Sequence, residues 1–208
     1  MKMKIVVLFS VVLIAVLSYN FTFMEKSNSK TVDNLKSAII GETTASAKYL
    51  AYSKKAKEEG LNKIALLFEA ASKSEGIHAN NHRSVLEQIG ITMEQVNPKY
   101  EVKTTKENLQ DAINGESYEV ATMYPDFIKT ATNNNVNLAV ISFNYAYQTE
   151  KKHKELYKDA LDKLNNKKAD TLPSNYFVCS TCGNTYAGEA PNRCGISMTP
   201  KDRFISIK

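Results

Sequence analysis

Two copies of one spacing, Glu75-x-x-His78 and Glu150-x-x-His153, are the residues of this chain best suited to chemistry. Three residues apart on a helix, a carboxylate and an imidazole point to the same side, so each pair can grip one metal ion while its carboxylate reaches a second. Glu42, Glu116 and Glu119 add three further carboxylates. An oxygen-plus-imidazole set of this kind suits iron or manganese better than a thiolate-seeking metal.

Each of these groups falls on an apolar helical face, where an unpaired charge is costly. At about 100° per residue, Glu75, His78 and His82 share a side with Ile64, Phe68, Ala71, Ala79, Leu86 and Ile89. Glu42 lies with Leu35, Ala38, Ala45 and Tyr49, and Glu116 and Glu119 lie with Leu109, Ala112, Met123 and Phe127. Glu150 and His153 share their face with Ala139, Phe143, Ala146, Tyr157 and Leu161. An ionised carboxylate in such a core neutralises itself by a large pKa shift or needs a cation beside it. Two divalent ions would set four positive charges against the five carboxylates. His82, one turn beyond His78, reads as a hydrogen-bonded core or supporting histidine. Tyr49 and Tyr124, seven and eight residues beyond Glu42 and Glu116, are placed either to donate hydrogen bonds to the site or to pack beside it.

Four helices must carry these residues. The first is expected from about Thr31 to Glu59, ending at Gly60, and the second from about Asn62 to Gly90, so the two form an antiparallel hairpin. A long connection containing Pro98 leads to Thr104 and Glu107, a capping-box pair that starts a third helix. That helix runs to the asparagines at 133–135 with a kink at Pro125, and the fourth covers Val136 to about Asn166. Glu42 and Glu75 lie eighteen and fifteen residues from the turn at Gly60, and Glu116 and Glu150 lie eighteen and sixteen from Asn134. The four carboxylates therefore reach nearly one level. Glu42, Glu75 and His78 recur at an offset of 74 or 75 as Glu116, Glu150 and His153, the mark of an internal duplication. Two hairpins joined by one crossover predict a mainly α, ferritin-like four-helix bundle over residues 30–168.

Outside the bundle, a polar, proline-containing linker at 169–175 leads to a small β-rich module at 176–208. All three cysteines lie there, Cys179, Cys182 and Cys194, an odd and clustered set that reads as a metal site before a disulfide framework. At the other end, Lys2 and Lys4 precede an uncharged apolar run, so residues 1–24 are expected to be a signal peptide or a signal anchor. Export follows, to a periplasmic or N-terminally membrane-anchored location, with membrane contact only through that segment. The net charge of +5 comes from scattered lysines without interleaved aromatics, which argues against nucleic acid as a partner.

The stretches IGETTASAKY, SEGIHA, GESYEVATMYPDF, EKKH and CSTCGNTYAGEAPNRC resemble the rubrerythrins, di-iron bundles followed by a rubredoxin-like module, over roughly residues 30–208. The resemblance implies two non-haem irons in the bundle and reduction of hydrogen peroxide to water in oxidative-stress defence. It implies electrons from the module, commonly that of a partner subunit in a head-to-tail homodimer, resupplied by an external donor that the sequence does not name. By position Glu42, Glu75, Glu116, Glu119, Glu150 and His153 match the family's iron ligands. His78 matches a histidine that exchanges with a glutamate, here Glu119, as the iron changes oxidation state, and Tyr49 and Tyr124 match tyrosines beside the site. The module departs from the pattern, because Ser197 stands where a fourth cysteine belongs. It would hold iron through three sulfurs and a serine oxygen, hold zinc, or be partly empty. The alternative function is a ferritin-like protein that oxidises or binds iron without peroxidase turnover.

Overall fold

The computed structural model describes the backbone of residues 3–208 and the side chains of residues 30–208. Helix α1 spans Met3–Glu58, α2 Asn62–Gln88, α3 Thr105–Tyr118, α4 Tyr124–Asn133 and α5 Asn137–Asn165. Gly60 and Gly90 take left-handed backbone (φ +76° and +79°) just past α1 and α2, as their C-cap positions require. The capping box forms: the Thr104 side chain accepts from the Glu107 amide while the Glu107 side chain accepts from the Thr104 amide.

Between α3 and α4 the expected kink is a π-helical turn, Glu119–Met123, placed directly before Pro125. Proline has no amide hydrogen and its ring collides with the carbonyl four residues back, so widening the preceding turn relieves the clash. The wider turn absorbs one residue. Tyr124, eight residues after Glu116, thereby returns to within about 20° of its face, where a regular helix would leave it about 80° away. Tyr49 reaches the same relation to Glu42 along an unbroken helix in seven.

The mainly α bundle packs as two apolar clusters, with the buried polar groups in the space between them. One contains Tyr49, Tyr52, Phe68, Leu109 and Tyr157, and the other Leu35, Ile39, Leu86, Tyr124 and Phe143. The tail is an antiparallel sheet in the order β2-β1-β3, with β1 Tyr176–Cys179, β2 Thr185–Ala187 and β3 Phe204–Ile207. Too small to enclose a core of its own, it lays the buried side chains of Tyr176 and Val178 against the first cluster.

The signal peptide expected over residues 1–24 is corrected. Among the described residues no helix is long and apolar enough to cross a membrane, and α1 continues from Met3 without a break into the bundle. The side chains on which that expectation rested lie outside the described residues. Ile89, expected on the buried face, is 43% exposed because α2 ends at Gln88.

Candidate metal centre

Facing helices bring the bundle's acidic and imidazole groups into two sets of four. One is Glu42, Glu75, His78 and Glu150; the other is Glu75, Glu116, Glu150 and His153, with the donor atoms of each set within 4.8 Å of one another. Glu75 and Glu150 belong to both, so each can bridge two ions. His78 Nδ1 lies 2.7 Å from Glu150 Oε1 and 3.0 Å from Glu75 Oε2, and His153 Nδ1 lies 2.8 Å from Glu150 Oε2 and 3.2 Å from Glu75 Oε1. Glu119, on the π turn, is partly exposed and joins neither set.

The donor atoms test whether metal fits. Glu42 Oε2, Glu116 Oε2, both oxygens of Glu75 and Glu150, and Nδ1 of His78 and His153 are buried without a hydrogen-bond partner. Buried polar atoms are ordinarily satisfied, and orphans converging from four helices are what two divalent ions would satisfy. Electrostatics point the same way. Burial pushes Glu42 up to about 7 against the opposing pull of His78. Burial, then the charges of Glu150 and Glu75, push Glu116 well above the carboxylate range. Although burial also opposes charge on Glu150, the neighbouring His78 and His153 bring it down to about 2. His153 rises to about 10, its burial outweighed by Glu75 and Glu150. Without cations the cluster holds itself together by borrowing protons.

The histidine tautomers follow from the outer nitrogens. His78 Nε2 lies 3.1 Å from the Cys182 carbonyl oxygen, which can only accept, so the proton sits on Nε2 and Nδ1 offers its lone pair inward. His153 Nε2 lies 2.8 Å from Thr185 Oγ1, whose own hydrogen goes to the Gly183 carbonyl, with the same result. The tyrosines cross over. Tyr49 donates to Glu116 Oε1 at 2.8 Å and Tyr124 donates to Glu42 Oε1, each to the carboxylate of the opposite hairpin and not to the one that precedes it on its own. Burial and nearby carboxylates push both phenols up, so both remain donors.

The cysteine module sits directly on this site. The Gly183 carbonyl accepts from Ser74 Oγ at 2.7 Å and the Thr181 carbonyl from Asn81 Nδ2 at 2.9 Å. Cys179, Cys182 and Cys194 are buried together, with Cys182 Sγ 3.5 Å from Cys194 Sγ and Ser197 Oγ 3.3 Å from Cys179 Sγ. A tetrahedral ion with ordinary bond lengths needs sulfurs about 3.8 Å apart and sulfur and oxygen about 3.5 Å apart, so these two distances are near the required spacing. Both knuckles share one backbone pattern: Cys179 N bonds to Asn184 O and Gly183 N to Cys179 O, while Cys194 N bonds to Thr199 O and Met198 N to Cys194 O. Ser197 therefore occupies in the second knuckle the place of Cys182 in the first. Met198 takes the left-handed backbone (φ +59°) that Gly183 takes at φ +78°. Hydrogen bonds, first from the Cys182 thiol and then from Ser197 and Thr199, hold Cys179 down to about 4 against its burial.

Thr185 and the Cys182 carbonyl escaped sequence reasoning, since their role depends on how the module docks, for which the local sequence carries no signal. The rubrerythrin family profile matches residues 33–161. Rubrerythrin-2 of Clostridium acetobutylicum is 35% identical over 182 residues, spanning 87% of this chain and 98% of that protein. Nigerythrin of Nitratidesulfovibrio vulgaris is 35% identical over 198 residues, 90% of this chain and 93% of its own length. A solved structure of fully reduced, all-ferrous nigerythrin superposes with a TM-score of 0.77 at 35% identity, covering 85% of this chain and 86% of that one. Likeness along almost the whole sequence and in the path of the backbone, joined to a buried donor set that two irons would satisfy, makes this chain a member of the rubrerythrin family with that family's di-iron function.

Proposed function

We propose that the chain is a non-haem di-iron peroxidase that reduces hydrogen peroxide to water as a defence against oxidative stress. The balanced reaction is H2O2 + 2 H+ + 2 e− → 2 H2O. Two irons held by Glu42, Glu75, His78, Glu116, Glu150 and His153 would supply both electrons as a pair and act as Lewis acids on the peroxide oxygens. The chain's own groups do the rest. Tyr49 and Tyr124 hold Glu116 and Glu42 in place through hydrogen bonds from phenols that stay protonated. Glu119 stands on the widened turn outside the two sets of four and is the carboxylate that would exchange with His78.

The observation that carries this reading is the docking of a cysteine centre on the bundle, with the Cys182 carbonyl against His78 Nε2. A protein that only stored or oxidised iron would have no use for a redox module hydrogen-bonded to its ligand shell. We assign Cys179, Cys182, Cys194 and Ser197 as that module's ligands, with iron as the ion, since zinc has no redox chemistry to contribute. The proposed electron path lies within one chain, and an external donor reduces the module.

The test is metal content followed by turnover. Purified from iron-fed cells without chelator, the protein is expected to carry about three irons per chain and to consume peroxide when given a reductant. A protein that oxidises ferrous iron with oxygen but leaves peroxide untouched would be an iron-handling ferritin relative instead.

A further inference from the structure

A line of hydrogen bonds reaches the metal site through two residues that the chemistry above leaves unused. Ser142 Oγ on α5 lies 2.7 Å from His82 Nδ1 on α2, and His82 Nε2 lies 3.3 Å from the Tyr124 hydroxyl. Tyr124 in turn donates to Glu42 Oε1. His82 and Tyr124 are fully buried beside Phe143, while Ser142 retains 5% exposure at the outer end.

The bonds have one direction. Tyr124 spends its only hydrogen on Glu42, so its oxygen must accept from His82 Nε2. Complete burial disfavours the charged form of His82, which leaves it neutral with a single ring hydrogen. With that hydrogen on Nε2, Nδ1 accepts from the Ser142 hydroxyl. Every donor along the line therefore points inward, towards Glu42.

We propose that Ser142, His82 and Tyr124 form a proton relay that carries solvent protons to Glu42 during peroxide reduction. This rests on the peroxidase reading, because the balance above consumes two protons in a site whose carboxylates Glu42, Glu75 and Glu150 are at most 1% exposed. In one passage the Tyr124 O–H bond breaks towards Glu42, the His82 Nε2 hydrogen moves to the Tyr124 oxygen, the Ser142 hydrogen moves to Nδ1, and a solvent proton replaces it on Oγ. His82 is left as its Nδ1–H tautomer, so one passage delivers one of the two protons, and Nε2 regains its hydrogen by tautomerisation between turnovers. No electron travels this route; the pair arrives through the cysteine centre. His82 and Ser142 act through Tyr124 and are positioning residues.

Two variants and one resonance test the relay. His82→Leu fills the ring's volume without a nitrogen, and is expected to keep both bundle irons and the KM for peroxide while kcat falls about ten- to a hundredfold. The solvent deuterium isotope effect on kcat is expected to grow. Ser142→Ala, which barely disturbs packing, should move kcat and the isotope effect the same way by a smaller factor, and it decides the matter if His82→Leu loses iron. In wild-type protein loaded with zinc, the nitrogen-15 shifts of His82 are expected to show a protonated Nε2 and a bare Nδ1. Unchanged kcat in the iron-replete variants, or a resting Nδ1–H or doubly protonated His82, would overturn the relay while leaving the peroxidase standing. A wild type that does not consume peroxide overturns the peroxidase reading, and the relay with it.

Discussion

His78 Nε2 stands 3.1 Å from the carbonyl oxygen of Cys182, so one hydrogen bond, donated by His78 and accepted by the Cys182 backbone, joins the bundle site to the cysteine site. The approach needs glycine next door. Gly183 has φ +78°, and a Cβ there would collide with the His78 ring at Nε2.

Gly183→Ala is accordingly expected to push the module off the bundle. Left-handed backbone alone costs an alanine about 1 kcal/mol, and the collision with a fully buried ring adds to it. Calorimetry should show lower stability, and stopped-flow spectroscopy should show slower electron transfer from the cysteine centre with bundle iron retained. Wild-type transfer rates in this variant would mean that the contact carries no electrons.

Glu119 offers a separate test, because it lies outside both sets of four. Glu119→Ala is expected to keep most of the bundle iron and to slow peroxide turnover at least about tenfold. Loss of iron with no specific kinetic defect would count against a carboxylate that exchanges with His78.

The borrowed protons make the metal-free protein sensitive to pH with a definite sign. Glu42, raised to about 7, and His153, raised to about 10, both bind protons more tightly folded than unfolded. Their contribution to stability is complete at low pH and is lost as pH rises through those values. Glu150, held down to about 2, acts oppositely only below its ordinary value of 4.5. Melting temperature without metal should therefore fall from about pH 5 to about pH 9, while metal binding tightens over the same range as the ligands give up protons. A metal-free melting temperature that climbed across this interval would refute the assignment.

In the module, Ser197→Cys is expected to tighten metal binding and raise the reduction potential, since a thiolate replaces a harder oxygen donor. Met198→Gly should stabilise the fold by about 1 kcal/mol by removing left-handed strain from a side chain that is 61% exposed. An unchanged potential and metal content in Ser197→Cys would place Ser197 outside the ligand set.

Periodicity made the donor set legible because each donor is a local exception to an apolar stripe: Glu75 and His78 are 1% exposed, and Glu150 and His153 are fully buried. Helix ends could be read at Gly60, Gly90 and Thr104 because caps are local chemistry. The π turn was not legible. Pro125 announces a disturbance, yet only the structure shows that it absorbs a residue and swings Tyr124 over Glu42. Nor could the crossing of the tyrosines or the seating of Cys182 on His78 be read, because both depend on contacts between segments 67 to 104 residues apart. The signal peptide expected over residues 1–24 was misread because an apolar run behind two lysines looks the same whether or not it leads into a helix of the fold.

The most direct test of the account is a single turnover without oxygen. Fully reduced protein would be mixed with one equivalent of hydrogen peroxide while ferrous iron and residual peroxide are followed. The account expects two ferrous equivalents lost per peroxide consumed, with water as product, and one bundle iron reduced again by the single electron of the cysteine centre. Peroxide that persists beside ferrous iron, in protein that oxygen then oxidises, would contradict it.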